Sequence, residues 1–314
     1  MRLLFFGSSG FSVPALLALR PSISLVVTKK AKPKGRGYHL DDNEVKQAAI
    51  AAGLPLAEIG SFRDEEAKKL AEPRPDLLVV VSFGLIIPGW FLDAAAIGAI
   101  NVHPSLLPKY RGPSPMQWAV RNGDKETGVT IISMAERMDA GEILYQERTP
   151  IGPDEDTAAL SWRLSLRAAE ILPSIVERVT AGGMAGAVSQ DEGQATYTAM
   201  VTKEMGRIDW TAPAEEVMRQ IKAFIMWPTA YTFLDGKMLK VYKAKAPAGA
   251  YPRRAEPGAV VSVSPEGIEV AAGSGSVVIE EVQMENRKRM AASEFARGYR
   301  QLAGKKLAAS PVQL

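Results

Sequence analysis

The five residues Leu77–Val81 (LLVVV) contain no polar side chain. Successive side chains of a strand point to opposite faces, so a strand apolar at every position must be covered on both sides. This predicts the interior of a parallel sheet with helices above and below it. The neighbouring segments extend the same theme. Residues 3–6 form a short apolar run that ends at Gly7-Ser8-Ser9-Gly10 and leads into a helical period over 13–19. Residues 23–28, 99–103 and 128–134 read as further strands. Helical periods over 44–52, 65–71, 116–121 and 157–180 alternate with them. The predicted class is α/β, with an N-terminal Rossmann-like parallel sheet carrying helices on both faces. The span 1–188 is read as one domain.

Beyond this span the rhythm changes. The polar stretch 189–204 reads as a linker. One helical period, 214–224, then precedes short strands at 230–234, 239–245, 259–263, 267–272 and 276–282. Asp235-Gly236 and Gly273-Ser274-Gly275 supply turns at hairpin spacing. Such strands suit a smaller C-terminal OB-like β-barrel over 205–314, an architecture that binds nucleic acid. The basic charge favours that half. Residues 201–314 hold 17 Lys and Arg against 12 Asp and Glu, whereas residues 1–200 hold 21 against 23. A second basic cluster, Lys29, Lys30, Lys32, Lys34 and Arg36, has no acid before Asp41. Segments like these follow a phosphate backbone or simply cover a solvated face.

Several classes of protein are excluded early. The chain has 314 residues, no cysteine and two histidines. It can build neither a disulfide scaffold nor a thiolate metal site nor a Cys nucleophile, and no metal is expected. The apolar run before Gly7 is too short for a secretory signal, and no stretch approaches the roughly 20 apolar residues of a membrane span. A cytoplasmic monomer without membrane association is expected. Gly7-Ser8-Ser9-Gly10 lacks the three-glycine dinucleotide spacing, and the second strand ends in Thr28-Lys29 rather than in an acid. There is no P-loop and no G-x-S-x-G elbow.

The informative segment is Asn101-Val102-His103-Pro104-Ser105-Leu106-Leu107-Pro108. Asn101 and His103 stand two apart at a strand end, so both side chains leave the same face. Ligands of open α/β sheets sit beyond the carboxyl ends of the strands. An amide donor and an imidazole converging there can stabilise an oxyanion and handle a proton; alternatively, His103 caps a turn. Asp139 follows the strand at 128–134, in a loop expected at the same sheet edge. It either orients the His103 ring or serves as a turn aspartate before Gly141.

Asn-x-His-x-Ser-Leu-Leu-Pro with a later Asp-x-Gly resembles the folate-dependent formyltransferases. Further matches are Phe83-Gly84-Leu85-Ile86-Ile87-Pro88, Arg111-Gly112-Pro113-Ser114-Pro115, Arg207-Ile208-Asp209-Trp210 and Trp227-Pro228. The resemblance runs along nearly the whole chain. Within the family it points to the branch that formylates the α-amino group of initiator methionyl-tRNA, with 10-formyltetrahydrofolate as donor and no metal. By this resemblance Asn101 and His103 donate to the formyl oxygen of a tetrahedral intermediate, and Asp139 orients His103 and assists proton transfer. Ser105, Leu106, Leu107 and Pro108 match the folate-binding segment. Phe83, Gly84, Leu85, Ile86 and Ile87 would line the pterin pocket, although Leu85 and Ile87 read equally as core. Lys32, Lys34 and Arg36 fall in a basic insertion loop of about residues 29–46 that grips the acceptor stem. Lys203, Arg207, Lys240 and Lys243, with Arg287, Lys288 and Arg289, are candidate phosphate contacts. Two rivals stay open: an amino-sugar nucleotide as acceptor, and a non-catalytic RNA-binding protein.

Overall fold

The computed structural model describes residues 1–31, 33–34, 39–40, 42–248, 255–299 and 301–310; at 33–34 and 39–40 only the backbone is described. The chain divides into two compact units. The first comprises Met1–Pro115, Glu126–Pro150 and Leu160–Thr198, and the second Met116–Lys125, Ile151–Ala159 and Ala199–Leu314.

The strands of the first unit are β1 (Leu3–Gly7), β2 (Ile23–Lys29), β3 (Pro33–Lys34), β4 (His39–Leu40), β5 (Leu56–Ile59), β6 (Leu77–Val81), β7 (Gly98–His103), β8 (Glu126–Ser133) and β9 (Ile143–Pro150). Its short helices are α1 (Val13–Ala18), α2 (Glu44–Ala51), α3 (Glu65–Lys69) and α4 (Gly89–Leu92). Of the next two helices, α5 (Pro115–Asn122) falls almost wholly in the second unit, and α6 (Thr157–Gly182) enters the first at Leu160. Asn43 starts α2, its side-chain oxygen accepting the Lys46 N–H, which satisfies one of the donors a helix start leaves open.

Seven strands form one sheet in the order β5-β2-β1-β6-β7-β8-β9. The first five are parallel, and numbered among themselves they run 3-2-1-4-5, the doubly wound order. β8 and β9 are antiparallel additions. The expected all-parallel sheet therefore ends at β7. The apolar run at 128–134 specifies burial on both faces but not strand direction, which is why the sequence leaves this open. β5 and β9 escape the sequence reading because both are edge strands. Leu144 is the only buried residue of β9, which also carries Gln146, Glu147 and Arg148. The central strands confirm two-sided burial: Leu3, Leu4, Phe5, Phe6 and Leu77 have no exposed surface. On one face Phe6 meets the edges of Phe83 and Phe91 at 5.2 and 5.8 Å between ring centroids, and Phe62 lies 5.1 Å from Phe91. This aromatic cluster anchors the loop that follows β6.

The second unit carries α7 (Ala214–Ala223), β10 (Ala230–Leu234), β11 (Lys237–Lys245), β12 (Val260–Ser264), β13 (Gly267–Ala271), β14 (Ser276–Met284), β15 (Met290–Ala291) and α8 (Ala292–Arg297). Its antiparallel sheet runs β10-β11-β14-β13-β12, with β15 on β14. The two edges are joined by residues 305–308. Lys305 accepts from the Val260 N–H and Leu307 donates to Gly258 on the β12 side, while Phe233 and Ala308 exchange both bonds on the β10 side. The sheet thus closes into the small barrel expected from the strand spacing. Trp210, Ile221, Val241, Val270 and Val282 fill it, and the Trp210 indole N–H donates to Thr232 Oγ1 at 3.0 Å. Among the described residues no helix is long and apolar enough to cross a membrane.

Gly258 has φ +85°, and a Cβ there would lie 2.4 Å from the Leu307 carbonyl oxygen. Gly258→Ala is expected to destabilise the second unit by about 1–3 kcal/mol, read from urea unfolding followed by tryptophan fluorescence. A loss below about 0.5 kcal/mol, the size of an ordinary surface change, would mean that the closing segment gives way at no cost.

Candidate active site

The doubly wound order reverses direction between β1 and β6, and the crevice at such a switch point is where these sheets bind ligands. Three serines seal its base. Ser8 Oγ donates to the Phe83 carbonyl at 2.6 Å, Ser9 Oγ to Ser82 Oγ at 2.8 Å and Ser12 Oγ to the Val81 carbonyl at 2.5 Å. β7 lies on the other side of β6, pairing Val80 with Asn101 and Val81 with Val102. The loop after β6 therefore leaves the sheet beside Asn101 and His103.

Asp139 reaches these two residues by an unexpected route. β8 is antiparallel to β7, with Ser133 opposite Ile100 and Thr130 opposite His103. The loop after β8 thus starts below the site and has to fold back. It does so far enough to bring Asp139 Oδ2 within 3.6 Å of His103 Nδ1 and Oδ1 within 3.4 Å of Asn101 Nδ2. The Gly112 N–H donates to Asp139 Oδ2 at 2.8 Å. Asp139 itself sits in the left-handed backbone region, at φ +52°.

His103 is almost fully buried. Its Nε2 lies 2.9 Å from the Tyr110 carbonyl oxygen, which can only accept, so Nε2 carries the ring proton. The nitrogen facing the Asp139 side is Nδ1, and it can donate only when the ring is protonated at both positions. The Nε2 proton is thus committed to the main chain, and only Nδ1 faces Asp139.

The segment 105–108 is held from below. Thr130 Oγ1 donates to the Ser105 carbonyl at 2.6 Å and accepts from the Leu107 N–H at 3.2 Å. Gln146 Nε2 donates to the Leu107 carbonyl at 2.8 Å. Ser105 and Leu107 are buried, and the Ser105 hydroxyl donates to the Lys109 carbonyl, which leaves Leu106 and Pro108 as the accessible side chains. In the other folate segment, Phe83 and Ile87 belong to the aromatic core. Gly84 is accessible, Leu85 is half-buried and Ile86 is 80% exposed.

Of the residues read as nucleic-acid contacts, Lys32 and Arg36 lie outside the described residues, as does the Lys34 side chain. Lys203, Arg207 and Lys243 are exposed, Lys240 is half-buried on β11, and Lys243 lies 3.4 Å from Glu280. Arg287 and Lys288 are exposed. Arg289 is ion-paired with Glu281 and stacks 4.2 Å from the Tyr242 ring.

Sequence reasoning gave no role to the stretch 189–198 beyond a connection. In the structure it forms a wall of the site. Arg111 donates its N–H to Thr196, and Thr198 and Thr196 donate theirs to Arg111 and Pro108. The Arg111 side chain has no exposed surface. Its guanidinium meets Gln190 Oε1 at 2.9 and 3.0 Å, both Glu192 oxygens at 2.8 and 3.1 Å, and the Tyr197 hydroxyl at 3.2 Å. Arg111 and then Arg137 hold the Glu192 carboxyl down to about 2, from an ordinary value of 4.5.

The doubly wound sheet thus presents an amide, an imidazole and a carboxylate together at the carboxyl end of β7. The formyl transferase profile matches residues 3–176, and that of the formyl transferase C-terminal domain matches residues 200–300. Methionyl-tRNA formyltransferase of Citrifermentans bemidjiense is 40% identical over 304 residues, 96% of this chain and 94% of that one. The chain belongs to the formyl transferase family. Its fold is shared, at a TM-score of 0.65 and 18% identity, by HypX from Aquifex aeolicus in complex with tetrahydrofolic acid. That match covers 96% of this chain and 47% of HypX, so the chain spans about half the length of that protein. The N-formyltransferase of Helicobacter canadensis, in complex with folinic acid and dTDP-3-aminofucose, also has a TM-score of 0.65, at 15% identity over 90% of this chain and 99% of that one.

A carboxylate whose value is depressed on folding contributes stability that is complete above its unfolded value and lost as the pH falls through the folded one. The Glu192 contribution should therefore be intact above pH about 4.5 and disappear towards about 2. Glu192→Gln should be less stable than the parent at pH 6, and the gap should close as the pH is lowered across this window. Denaturant titrations at several pH values measure it.

Proposed function

We propose that this enzyme transfers the formyl group of 10-formyltetrahydrofolate to the α-amino group of initiator methionyl-tRNA. The observation that carries the reaction is the convergence of Asn101, His103 and Asp139 at the carboxyl end of β7. The acceptor is supported by the curated relative, alike along nearly the whole of both chains, and by the family match of the second unit. The exposed Lys203, Arg207 and Lys243 supply positive charge there for a phosphate backbone.

Gly84 and Ile86 are accessible and follow Phe83 of the aromatic cluster, on the loop that leaves the strand next to β7, a setting that fits a flat, polar heterocycle. Leu106 and Pro108 would cover the linkage next to it. A free α-amino group titrates near about 7.7–8.0, so a neutral fraction exists at neutral pH. Its lone pair attacks the formyl carbon and forms the new C–N bond, and the carbonyl electrons move onto oxygen. Asn101 Nδ2 donates to that oxygen, and His103 does so through Nδ1 when that nitrogen carries a proton. The bond to folate N10 then breaks as the carbonyl reforms. The amine proton passes to N10, with Asp139 accepting and returning it through water.

Removing one oxyanion donor typically costs about 10²–10³ in turnover. Asn101→Ala should lower kcat by this factor and leave tRNA affinity within about twofold, and Asp139→Asn should also be severely impaired. Formyl transfer from labelled 10-formyltetrahydrofolate tests the whole reading, with charged initiator methionyl-tRNA, uncharged tRNA and an amino-sugar nucleotide as acceptors. Label on the charged tRNA alone is the expected result. Label on the sugar alone would retain the chemistry and replace the acceptor.

A further inference from the structure

We infer that Gln190 is a positioning residue for the reaction, because its side-chain amide fixes the loop that carries Asp139 against the buried Arg111. This rests on the role proposed for Asp139 above.

Two features make a tether necessary. β8 runs antiparallel to β7, so its loop begins level with Ile100 and has to climb back to His103. Asp139 also adopts a positive φ without being glycine, a conformation that persists only where its surroundings hold it. Gln190 supplies that hold. Its Nε2 donates to the Asp139 carbonyl at 2.8 Å and to the Gly141 carbonyl at 2.7 Å. Its Oε1 accepts from Arg111 Nε and Nη2 at 3.0 and 2.9 Å. Two donors and two acceptors use the full capacity of the amide, and turning it over would set oxygen against two carbonyls and N–H against the guanidinium. The amide therefore has one orientation.

The other end of this tie is equally well defined. Arg111 is bracketed by Tyr110, whose carbonyl takes His103 Nε2, and by Gly112, whose N–H takes Asp139 Oδ2. Gly112 has φ +102°, and a Cβ there would crowd Thr198 at 3.1 Å. The imidazole and the carboxylate are thus referenced to one three-residue segment. Gln190 transmits that reference to the Asp139 backbone without touching any reacting atom.

The test compares Gln190→Glu, Gln190→Met and Asp139→Asn with the parent in the formyl-transfer assay with methionyl-tRNA. Gln190→Glu keeps acceptors for Arg111 and loses both donors to the loop, and Gln190→Met removes both functions. Supporting residues of this kind typically contribute about 10–100-fold. The expected result is a loss of that size in kcat for Gln190→Glu, with KM for both substrates within about threefold. Its melting temperature should fall by a few degrees, because a carboxylate oxygen then faces the Asp139 and Gly141 carbonyls, and hydrogen exchange over residues 135–142 should be faster. Should Gln190→Met fail to fold, Gln190→Glu still decides. Parental kcat in Gln190→Glu, with Asp139→Asn impaired, would overturn the inference and leave the catalytic reading intact. So would a kcat loss that comes with a proportional rise in both KM values. Parental turnover in Asp139→Asn would instead remove the role of Asp139 and the inference with it.

Discussion

A guanidinium with no exposed surface must find its acceptors within the protein, because an uncompensated buried charge costs several kcal/mol. Arg111 finds nearly all of them on one stretch of chain: Gln190, Glu192 and Tyr197. The pairing is bidentate towards Glu192, the strong geometry for this side chain, although Glu192 is itself half exposed and partly screened by water. Once the fork is closed, the backbone follows. Residues 196–198 pair with 108–111 much as a short parallel strand would. That pairing directs the Tyr110 carbonyl at His103 and the Gly112 N–H at Asp139. The geometry around Asn101, His103 and Asp139 thus depends on an ion pair none of whose members takes part in the proposed chemistry.

A second layer acts from the opposite side. Thr130 and Gln146, on the antiparallel strands β8 and β9, hold the main chain of 105–107. The added strands therefore do more than widen the sheet. They place polar side chains under a segment that has left the parallel part of the fold, where no ladder remains to satisfy its carbonyls. Two glutamines, 146 and 190, brace the two sides of the site: Gln146 donates to the Leu107 carbonyl and the Thr130 hydroxyl, and Gln190 to the Asp139 and Gly141 carbonyls. Glutamine suits this task because one planar group can donate and accept at a fixed separation.

Much of this was legible in the sequence. The polarity-free run at 77–81 and the alternation around it gave the doubly wound core, and the spacing of Asn101 and His103 placed both at the carboxyl end of one strand. Turn signals such as Asp235-Gly236 gave the strands of the second unit. Three things were not legible. Strand direction at β8 is invisible because burial on both faces carries no sense of direction. The edge strand β5 has only four residues and the edge strand β9 is half polar, so both read as connections. The segment 189–198 reads as a linker because its residues are polar, and nothing local tells a solvated Gln190 from one paired with an arginine nearly eighty positions earlier. A buried charge in a motif, as at Arg111, is the clue that could have prompted a search for its partners.

The closing segment of the barrel sets an order on the birth of the protein. Every strand of the first unit, and the 189–198 stretch that braces it, has been synthesised by residue 198, so this unit can fold while the ribosome is still translating the rest. The barrel has no such freedom. Until residues 305–308 emerge, β10 and β12 present unpaired edges, the state in which a sheet is most prone to pair with a stranger. The nascent chain therefore passes through a stage in which the first unit is complete and the second is an open sheet, sealed only once residues 305–308 have been added.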